Sequence, residues 1–382
     1  MENLKNIREN IDAIDAEIAS LVKKRLMLAS EVAQTKMKSG AVIFDPARER
    51  SILSRVADMV GPDYENAALR IFQTLFEISR ARQRIAMNGE NPLASNIRKI
   101  CAETPASFPE RAIVACPGTE GSYAQQAISL IFKLPAIVYI NGFEKVFDAV
   151  EQGLCPYGIL PIENSAAGSI AQVYDLMVKH RFSIVKALKL KINHVLLGAR
   201  GAKLGGISEV SSHPHALAQC SKFFKSHPGI KTVPADNTAG AAKELARSPD
   251  MHKAVIASRA CAELYGLDIL AEDIADAANN YIRFICISKT PQIFPAANKI
   301  SVMMSLAHRP RTLNGIISRF SAVGVNLTKL ESRPIPGMDF EFRFTFEFKA
   351  SARDEAVLRL LAELADDPQI EHFTFLGAYE EK

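Results

Sequence analysis

Hydrophobic positions near the start of the chain recur at alternating steps of three and four. This spacing marks one face of an α-helix and predicts a single long helix, ending near Lys38, that buries an apolar stripe. The members of this apolar stripe are Leu4, Ile7, Ile11, Ile14, Ile18, Leu21, Leu28 and Val32. Arg25 occupies one expected stripe position. A guanidinium on a buried face is costly unless an anion meets it, so the pattern predicts an anionic ligand.

Two more helices are predicted before residue 90. The first helix breaks at Ser39-Gly40, and the second starts at Asp45-Pro46, where aspartate suits the N-cap and proline the first helical position. A third helix follows Gly61-Pro62-Asp63. Residues 1–90 are therefore predicted to be an all-α domain of three helices. Residues 91–110, rich in Asn, Pro, Ser and Glu, are predicted to be a linker.

From residue 111 the pattern changes to short apolar strands that alternate with helices. Such alternation is typical of an α/β domain with a largely parallel sheet, here predicted to span 111–292. Residues 298–382 have the order strand, helix, strand, strand, helix, strand. This order predicts a small ferredoxin-like α+β sandwich, a fold frequent among ligand-sensing modules.

Composition and charge narrow the possible functions. The chain has 382 residues, more than a single hydrophobic core usually supports, so more than one domain is expected. Its 48% of hydrophobic and 23% of charged residues are usual for a soluble globular protein. A net charge of +4 with interspersed acids and bases disfavours nucleic-acid binding. No apolar run is long enough to span a membrane, so we expect a cytoplasmic protein. Six widely spaced cysteines predict reduced, packed thiols.

No residue spacing in the sequence predicts a metal or an organic cofactor. His213 and His215 flank Pro214, but two imidazoles without a third ligand are more often a loop feature. We therefore expect no cofactor, and chemistry carried by ordinary side chains.

Polar residues of the helical domain are spaced to surround a small dianion. Arg25 and Lys36 are eleven residues apart, which places them on nearly the same helix face about 16 Å apart along the axis. Arg8 lies about 25 Å from Arg25 along the same helix, so it reaches that ligand only from an antiparallel partner chain. The other two helices contribute Asp45, Arg48, Glu49, Ser79 and Gln83. Each of these fits a solvated helix surface, but Arg25 requires an anion.

These positions resemble the all-helical chorismate mutase family in residue type and spacing. The resemblance implies an intertwined homodimer that rearranges chorismate to prephenate, without a covalent intermediate or proton transfer. Arg25 and Arg8 of the partner subunit would clamp carboxylates, and Lys36 and Gln83 would donate to the ether oxygen as charge builds there. Glu49 would take the substrate hydroxyl. The remaining site residues would be Asp45, Arg48 and Ser79.

Three polar turns in the α/β domain follow strands and precede helices. They are GTEGSYAQQA (118–127), PIENSAAGSI (161–170) and SSHPHALAQCSKF (211–223). Such turns fit a ligand at the carboxyl edge of an open sheet, with anions at helix N-termini. The candidate binding side chains are Ser122, Glu163, Asn164, Ser165, Ser212 and His213 in these turns, and Thr238 further along the chain.

Together with ASRACAELYGL (257–267), these turns resemble the prephenate dehydratase family, and the whole chain resembles the bacterial P-proteins. The resemblance implies two lobes that close over prephenate, like a periplasmic binding protein, and release phenylpyruvate. The family motif Thr-Arg-Phe stands here as Ile282-Arg283-Phe284. Arg283 would hold a substrate carboxylate. An alkyl side chain cannot donate the hydrogen bond expected of the threonine, so we expect either a slow dehydratase or an inactive site that still binds.

The run Glu331-Ser332-Arg333-Pro334 resembles the Glu-Ser-Arg-Pro motif of ACT domains, which in P-proteins bind L-phenylalanine and inhibit. The companion Gly-Ala-Leu motif stands here as Arg311-Thr312-Leu313, so a bulky cation replaces a glycine that lets backbone approach the ligand. The resemblance implies an L-phenylalanine effector. A dimer interface is the alternative role.

Three hypotheses stay open at this point. The first is a bifunctional enzyme that converts chorismate through prephenate to phenylpyruvate. The second is a chorismate mutase whose degenerate dehydratase module binds a regulator. The third is a helical dimerisation scaffold with sensing domains, which would leave Arg25 without an anion.

Overall fold

The structure is a computed structural model that describes residues 2–88, 91–277, 279–306, 308–309, 312–335, 337 and 341–382. The chain folds into two compact units. The first comprises Met1–Ile97 and Leu358–Ile370, and the second comprises Arg98–Val357 and Glu371–Lys382. The domain boundaries predicted from the sequence stay a prediction.

Three long helices form most of the first unit and begin and end close to the predicted residues. They are α1 (Glu2–Ser39), α2 (Pro46–Val60) and α3 (Pro62–Asn88). The Asp45 carboxylate caps α2 by accepting a hydrogen bond from the Arg48 backbone N–H at 3.0 Å. Proline follows at the first helical position, as the sequence predicts.

The apolar stripe of α1 is not covered by other described residues of this chain. Its members are 44–57% exposed, whereas Ala29 and Ala33, near the end of the helix, are buried. The expected burial of one helix face is therefore not met within a single chain. A continuous apolar surface of this length marks an interaction site.

The segment predicted to be a linker contains a regular helix, α4 (Pro92–Glu103). The Asn91 side chain caps it by accepting a hydrogen bond from the Leu93 N–H at 2.8 Å. Asn-Pro therefore serves as an N-cap and first helical position, so part of the predicted linker is helical, and the linker assignment itself stays a prediction.

The remaining elements alternate as the sequence predicts, with several additional short strands. The helices are α5 (Tyr123–Ile131), α6 (Phe143–Glu151), α7 (Ala171–His180), α8 (Pro214–Ala218), α9 (Ser221–Ser226), α10 (Thr238–Arg247), α11 (Ala260–Tyr265), α12 (Thr312–Ala322) and α13 (Glu355–Ala365). The strands are β1 (Arg111–Pro117), β2 (Leu134–Ile140), β3 (Tyr157–Asn164), β4 (Gly168–Ser169), β5 (Ser183–Lys191), β6 (Val195–Gly198), β7 (Glu209–Ser212), β8 (Lys231–Pro234), β9 (Lys253–Ala257), β10 (Asp268–Ala271), β11 (Tyr281–Ser288), β12 (Lys299–Leu306), β13 (Asn326–Pro334), β14 (Phe342–Lys349) and β15 (Ile370–Glu381).

Two lobes make up the α/β segment, each built on its own sheet. The first lobe has the strand order β5-β11-β3-β1-β2, and the second has β10-β6-β9-β7-β8. Strand β1 is parallel to β2 and β3, but β11 is antiparallel to both of its neighbours. In the second lobe, β7 is parallel to β8 and β9, whereas β6 is antiparallel to β9 and β10. Both sheets are therefore mixed, and the prediction of a largely parallel sheet is wrong at β6 and at β11, which re-enters the first lobe from the second.

Two crossover segments join the lobes, one from β5 to β6 and one from β10 to β11. They are hydrogen-bonded to each other, since the Ile192 N–H donates to the Asn280 carbonyl oxygen at 2.8 Å. Apolar cores lie on the faces of both sheets, and all six cysteines are buried as free thiols. Among the described helices, none is long and apolar enough to cross a membrane.

The last four strands have the order β13-β14-β12-β15, and β15 also pairs in parallel with β5. The first lobe and the C-terminal segment therefore share one ten-stranded sheet. Gly377 allows this approach, because its φ is 142° and a Cβ there would overlap the Ile184 carbonyl oxygen.

Candidate active sites

A cleft of about 430 Å³ lies between the two lobes of the α/β segment. Both lobes contribute polar side chains to it. Five residues singled out in the sequence line this cleft: Ser122, Asn164, His213, Thr238 and Ile282. Residues that the sequence did not single out as substrate-binding also line it, including Tyr123, Asn141, Gln172, His194, His215, Gln219, Asp236 and Asn237.

The Gly-rich turn at one side of the cleft packs against residues 257–267. The Gly121 carbonyl oxygen accepts a hydrogen bond from Ser258 Oγ at 3.0 Å. Gly121 has φ +85°, and a Cβ there would lie 2.8 Å from Cys261 Sγ, so this position requires glycine. Residues 257–267 therefore support the turn, and the turn presents Ser122 at the start of α5.

Helix N-termini face the cleft from both lobes. Ser122 caps α5 by accepting from the Gln125 N–H at 3.3 Å, and Asn237 caps α10 by accepting from the Gly240 N–H at 2.6 Å. Both capping residues line the cleft, with Thr238 at the first position of α10. The partial positive charge of a helix N-terminus favours an anion, so the cleft is suited to a carboxylate.

A hydrogen-bonded group at the crossover segments forms part of the cleft lining. Gln219 Oε1 lies 2.9 Å from Asn280 Nδ2 and 3.0 Å from His194 Nε2. His194 Nδ1 lies 3.4 Å from the hydroxyl of Tyr123, which donates to the Asn193 carbonyl oxygen at 2.7 Å. Burial lowers the pKa of His194, partly offset by Gln219. His194 is therefore neutral, and its proton lies on Nε2, which faces the Gln219 oxygen. The Gln219 NH₂ group then points away from His194 and Asn280.

Arg283 does not face the cleft. Successive side chains of a strand point to opposite faces, and β11 presents Ile282 and Phe284 to the cleft. On the other face, the two terminal nitrogens of Arg283 donate to the two carboxylate oxygens of Glu347 in β14. The prediction that Arg283 holds a substrate carboxylate is contradicted by this placement, because its guanidinium is already engaged.

The Arg283–Glu347 pair is buried and ionised. Burial alone would raise the pKa of Glu347, but the hydrogen bonds and charge of Arg283, together with Lys299, hold this pKa at about 2. Burial likewise acts to lower the pKa of Arg283, and Glu347 keeps it well above its ordinary value. The pair therefore links β11 to β14 rather than binding substrate.

Three further predicted binding residues are not found among the described residues that line the cleft. Glu163 lies on the Arg283 face, with its carboxylate 3.5 Å from Arg283 Nη1. Ser165 Oγ accepts a hydrogen bond from the backbone N–H at the start of β11 at 2.9 Å. Ser212 is fully buried and donates to a carbonyl oxygen of β9 at 2.6 Å. The structure gives these side chains contacts within the protein, and their predicted contacts with substrate stay a prediction.

The three-helix part of the first unit places Arg25 against Ser79. Arg25 Nη1 donates to Ser79 Oγ at 2.5 Å and to the Leu75 carbonyl oxygen at 3.0 Å. Its guanidinium also lies 5.5 Å from the ring centre of Phe76. Burial lowers the pKa of Arg25, and the charge of Glu49 acts in the opposite direction. No carboxylate of the described residues lies within 4.0 Å of this half-buried cation.

The other predicted residues of the helical site have varied surroundings. Lys36 Nζ donates to the Ile43 carbonyl oxygen at 2.6 Å, and Glu49 forms an ion pair with Arg80. Gln83 is buried one turn after Ser79, and its Oε1 has no hydrogen-bond partner among the described residues. The exposed members are Arg8, Asp45 and Arg48.

One group of described side chains, Asp148, Glu151 and His180, brings ligand atoms within 4.8 Å of one another. His180 Nδ1 already lies 2.9 Å from Glu151 Oε2. The group is on α6 and α7 and does not line the cleft.

Comparison with known proteins decides between the hypotheses. The family profile of chorismate mutase type II matches residues 7–84, and that of prephenate dehydratase matches residues 114–292. The bifunctional chorismate mutase/prephenate dehydratase of Escherichia coli K12 is 30% identical to this chain, covering 94% of this chain and 92% of that protein. The chain belongs to this bifunctional family.

Its helical domain is a chorismate mutase and its two-lobed domain is a prephenate dehydratase, so one chain carries both steps from chorismate to phenylpyruvate. The dehydratase part is also similar to arogenate dehydratase 2 of Petunia hybrida, at 35% identity over 72% of this chain and 74% of that one. The prephenate dehydratase of Arthrobacter aurescens, solved in complex with L-Phe, superimposes with a TM-score of 0.63 and 27% identity. That likeness covers 70% of this chain and 90% of that one.

Proposed function

We propose that chorismate binds beside Arg25 in the helical domain. The observation that carries this proposal is a half-buried guanidinium that contacts a hydroxyl, a carbonyl and a ring but no described carboxylate. A dianionic substrate supplies the missing charge. Lys36 and Gln83 donate to the ether oxygen, and Glu49 takes the substrate hydroxyl after exchanging its contact with Arg80. The remaining polar positions are Asp45, Arg48 and Ser79.

The mutase works as a homodimer in this proposal. The apolar stripe of α1 is exposed over its whole length in one chain, and a second copy packed antiparallel covers it. The same arrangement brings Arg8 of the partner subunit toward Arg25. Arg8 is exposed in the single chain, so it is available for this contact.

Prephenate occupies the cleft between the two lobes. Its carboxylates are received by the N-termini of α5 and α10, with Ser122 and Thr238 as hydrogen-bond donors. Gln219 donates through its amide, and Asn164 and His213 complete the polar lining. Because Ile282 stands where a donor is expected, the departing ring hydroxyl lacks one hydrogen bond, and dehydration is slow.

We infer that residues 298–382 form an ACT-type sensing domain with a ferredoxin-like fold. The strand order β13-β14-β12-β15 supports this inference. Glu331 accepts a hydrogen bond from Ser169, and Arg333 donates to the Ala171 carbonyl oxygen at 3.0 Å, so the motif contacts the segment after β3.

L-Phenylalanine is the proposed effector of this domain. The related dehydratase of A. aurescens was solved with L-Phe. Leu313 on α12 and the motif residues Ser332 and Pro334 are the remaining candidates for contact, whereas Arg311 lies outside the described residues. Calorimetric titration of the whole protein with L-phenylalanine tests the inference, and the absence of saturable heat would contradict it.

The variant Arg25→Ala tests the mutase assignment. This variant removes a cation that stabilises the substrate carboxylates and the negative charge that develops during the reaction, so mutase turnover falls roughly 10²–10³-fold or more. The dehydratase rate on supplied prephenate stays unchanged. Arg55→Ala removes an exposed arginine of α2 and serves as the matched control. Normal mutase turnover in Arg25→Ala would remove the assignment.

A further inference from the structure

A second cavity, separate from the cleft, lies on the opposite face of the sheet that carries β11. Its volume is about 730 Å³, and among the described residues none lines both this cavity and the cleft. Strand β11 separates the two, because Ile282 faces the cleft and Arg283 faces this cavity. We call it the rear cavity. Strands of the first lobe and of the C-terminal segment both contribute to it.

The lining of the rear cavity is cationic. Its described lining has six cationic side chains and two carboxylates, together with polar and aromatic residues. The cations are Lys189, Arg283, Lys299, Lys329, Lys349 and Lys382, and the carboxylates are Glu163 and Glu381. Three more carboxylates contact some of these cations from outside the lining, namely Glu331, Glu347 and Glu380. The lining itself therefore carries an excess of positive charge. The position of this excess depends on which cations form ion pairs with carboxylates.

We call the buried cations Arg283 and Lys299 the floor of the rear cavity, and the exposed cations Lys189 and Lys349 its rim. Floor and rim differ in whether carboxylates balance these charges. On the floor, Lys299 lies 3.1 Å from Glu347 and 2.9 Å from Glu381, so it is fixed and neutralised like Arg283. At the rim, Lys349 has no carboxylate within 4.0 Å among the described residues. Lys189 lies 3.5 Å from Glu381, a carboxylate that Arg283 and Lys299 also share. The positive charge that carboxylates do not balance therefore lies at the rim of the cavity.

A buried donor on the floor also lacks an acceptor. Arg283 Nε is buried and has no hydrogen-bond partner among the described residues, although the two terminal nitrogens are paired. An unsatisfied buried N–H is unfavourable, and an acceptor bound in the cavity would satisfy it. This donor and the rim lysines point independently to an anionic ligand.

We propose that the rear cavity binds a small organic anion carrying at least two carboxylate or phosphate groups. The cavity is larger than one inorganic phosphate needs, and its cations are spread over both floor and rim. An aromatic amino acid is a poor fit, because the described lining has Tyr281 as its one aromatic residue and includes no aliphatic residue. The ligand is therefore of a different class from the L-phenylalanine proposed for the sensing motif.

Calorimetric titration of the whole protein with citrate, at constant ionic strength and neutral pH, tests the proposal. Saturable binding at one site is expected. In the double variant Lys189→Gln/Lys349→Gln the affinity falls by roughly tenfold or more, because two rim charges are lost. The matched control Lys203→Gln/Lys243→Gln removes two exposed lysines of the second lobe and leaves the affinity unchanged.

Pyrophosphate titrated in the same way separates phosphate from carboxylate ligands, and saturable binding of either anion that the rim variant weakens supports the proposal. Thermal unfolding and both enzyme rates are measured for each variant, since none of the four lysines belongs to the proposed catalytic residues. The proposal is overturned if neither anion binds saturably, or if the rim and control variants bind equally well.

Discussion

The residue at position 282 sets the expected rate of the second reaction. Ile282 lines the cleft with an alkyl group where the family motif has threonine. Ile282→Thr restores a hydroxyl at that point and should raise dehydratase turnover by roughly 10²–10⁴, the usual contribution of a proton-transfer group. The rate of phenylpyruvate formation from prephenate measures this, with mutase turnover unchanged.

Ile282→Val is the control for position 282, because it changes shape without adding a donor. It should leave the dehydratase rate near that of the unsubstituted protein. If Ile282→Thr gives no gain over Ile282→Val, the proposal that Ile282 slows dehydration is wrong.

The buried carboxylate of Glu347 makes stability depend on pH. Its folded pKa of about 2 lies below the roughly 4.3 of an unfolded glutamate, so its contribution is present above about pH 4.3 and is lost as the pH falls toward 2. The loss is on the order of 3 kcal/mol. Urea unfolding across this range measures it, and a free energy of unfolding that does not fall on acidification would contradict the assignment.

The positions of some site residues could not be predicted from the sequence. The motif predicted that Ile282 and Arg283 both contact substrate. Adjacent residues of a strand point to opposite faces of the sheet, so only one of the two can face the cleft. The group formed by His194, Gln219 and Asn280 was missed because its members are far apart in sequence. Only the folded crossover segments bring them together.

At the scale of elements, α1 has an apolar face that nothing in the described chain covers. The double variant Ile11→Asp/Ile18→Asp places two carboxylates on the apolar stripe and should convert the proposed dimer to monomers. Mutase activity should then be lost, because Arg8 of the partner subunit is removed, while dehydratase activity on prephenate persists. Sedimentation and the two rate assays measure this outcome.

Ser20→Asp places a carboxylate on an exposed position of the same helix outside the stripe and is the control. It should remain dimeric and active as a mutase. A monomeric mutase that is fully active in the double variant would contradict the dimer proposal.

Elements differed in how well the sequence predicted them. Long periodic helices such as α1 and α3 were predicted within a few residues, because a 3.6-residue period repeated many times leaves little ambiguity. Helix α4 was missed because Asn-Pro and nearby polar residues also fit a loop. Strands β7 and β8 have four residues each, too few for a period to be recognised.

At the scale of the whole molecule, two catalytic domains of unrelated folds occur in one chain. The sequence identified both through local motifs, whereas the shared sheet was not predictable. It depends on pairing between β15 and β5, strands separated by most of the α/β and C-terminal segments, and on the absence of a side chain at Gly377. The sheet places β11 between the cleft and the rear cavity.

The central claim is that this one protein converts chorismate to phenylpyruvate at two separate sites. Purified protein incubated with chorismate at neutral pH, without an acid quench that would dehydrate prephenate chemically, tests it most directly when prephenate and phenylpyruvate are followed together. We predict that prephenate rises first and phenylpyruvate follows slowly, above a blank without protein. Prephenate that accumulates while phenylpyruvate stays at the level of the blank would contradict the claim.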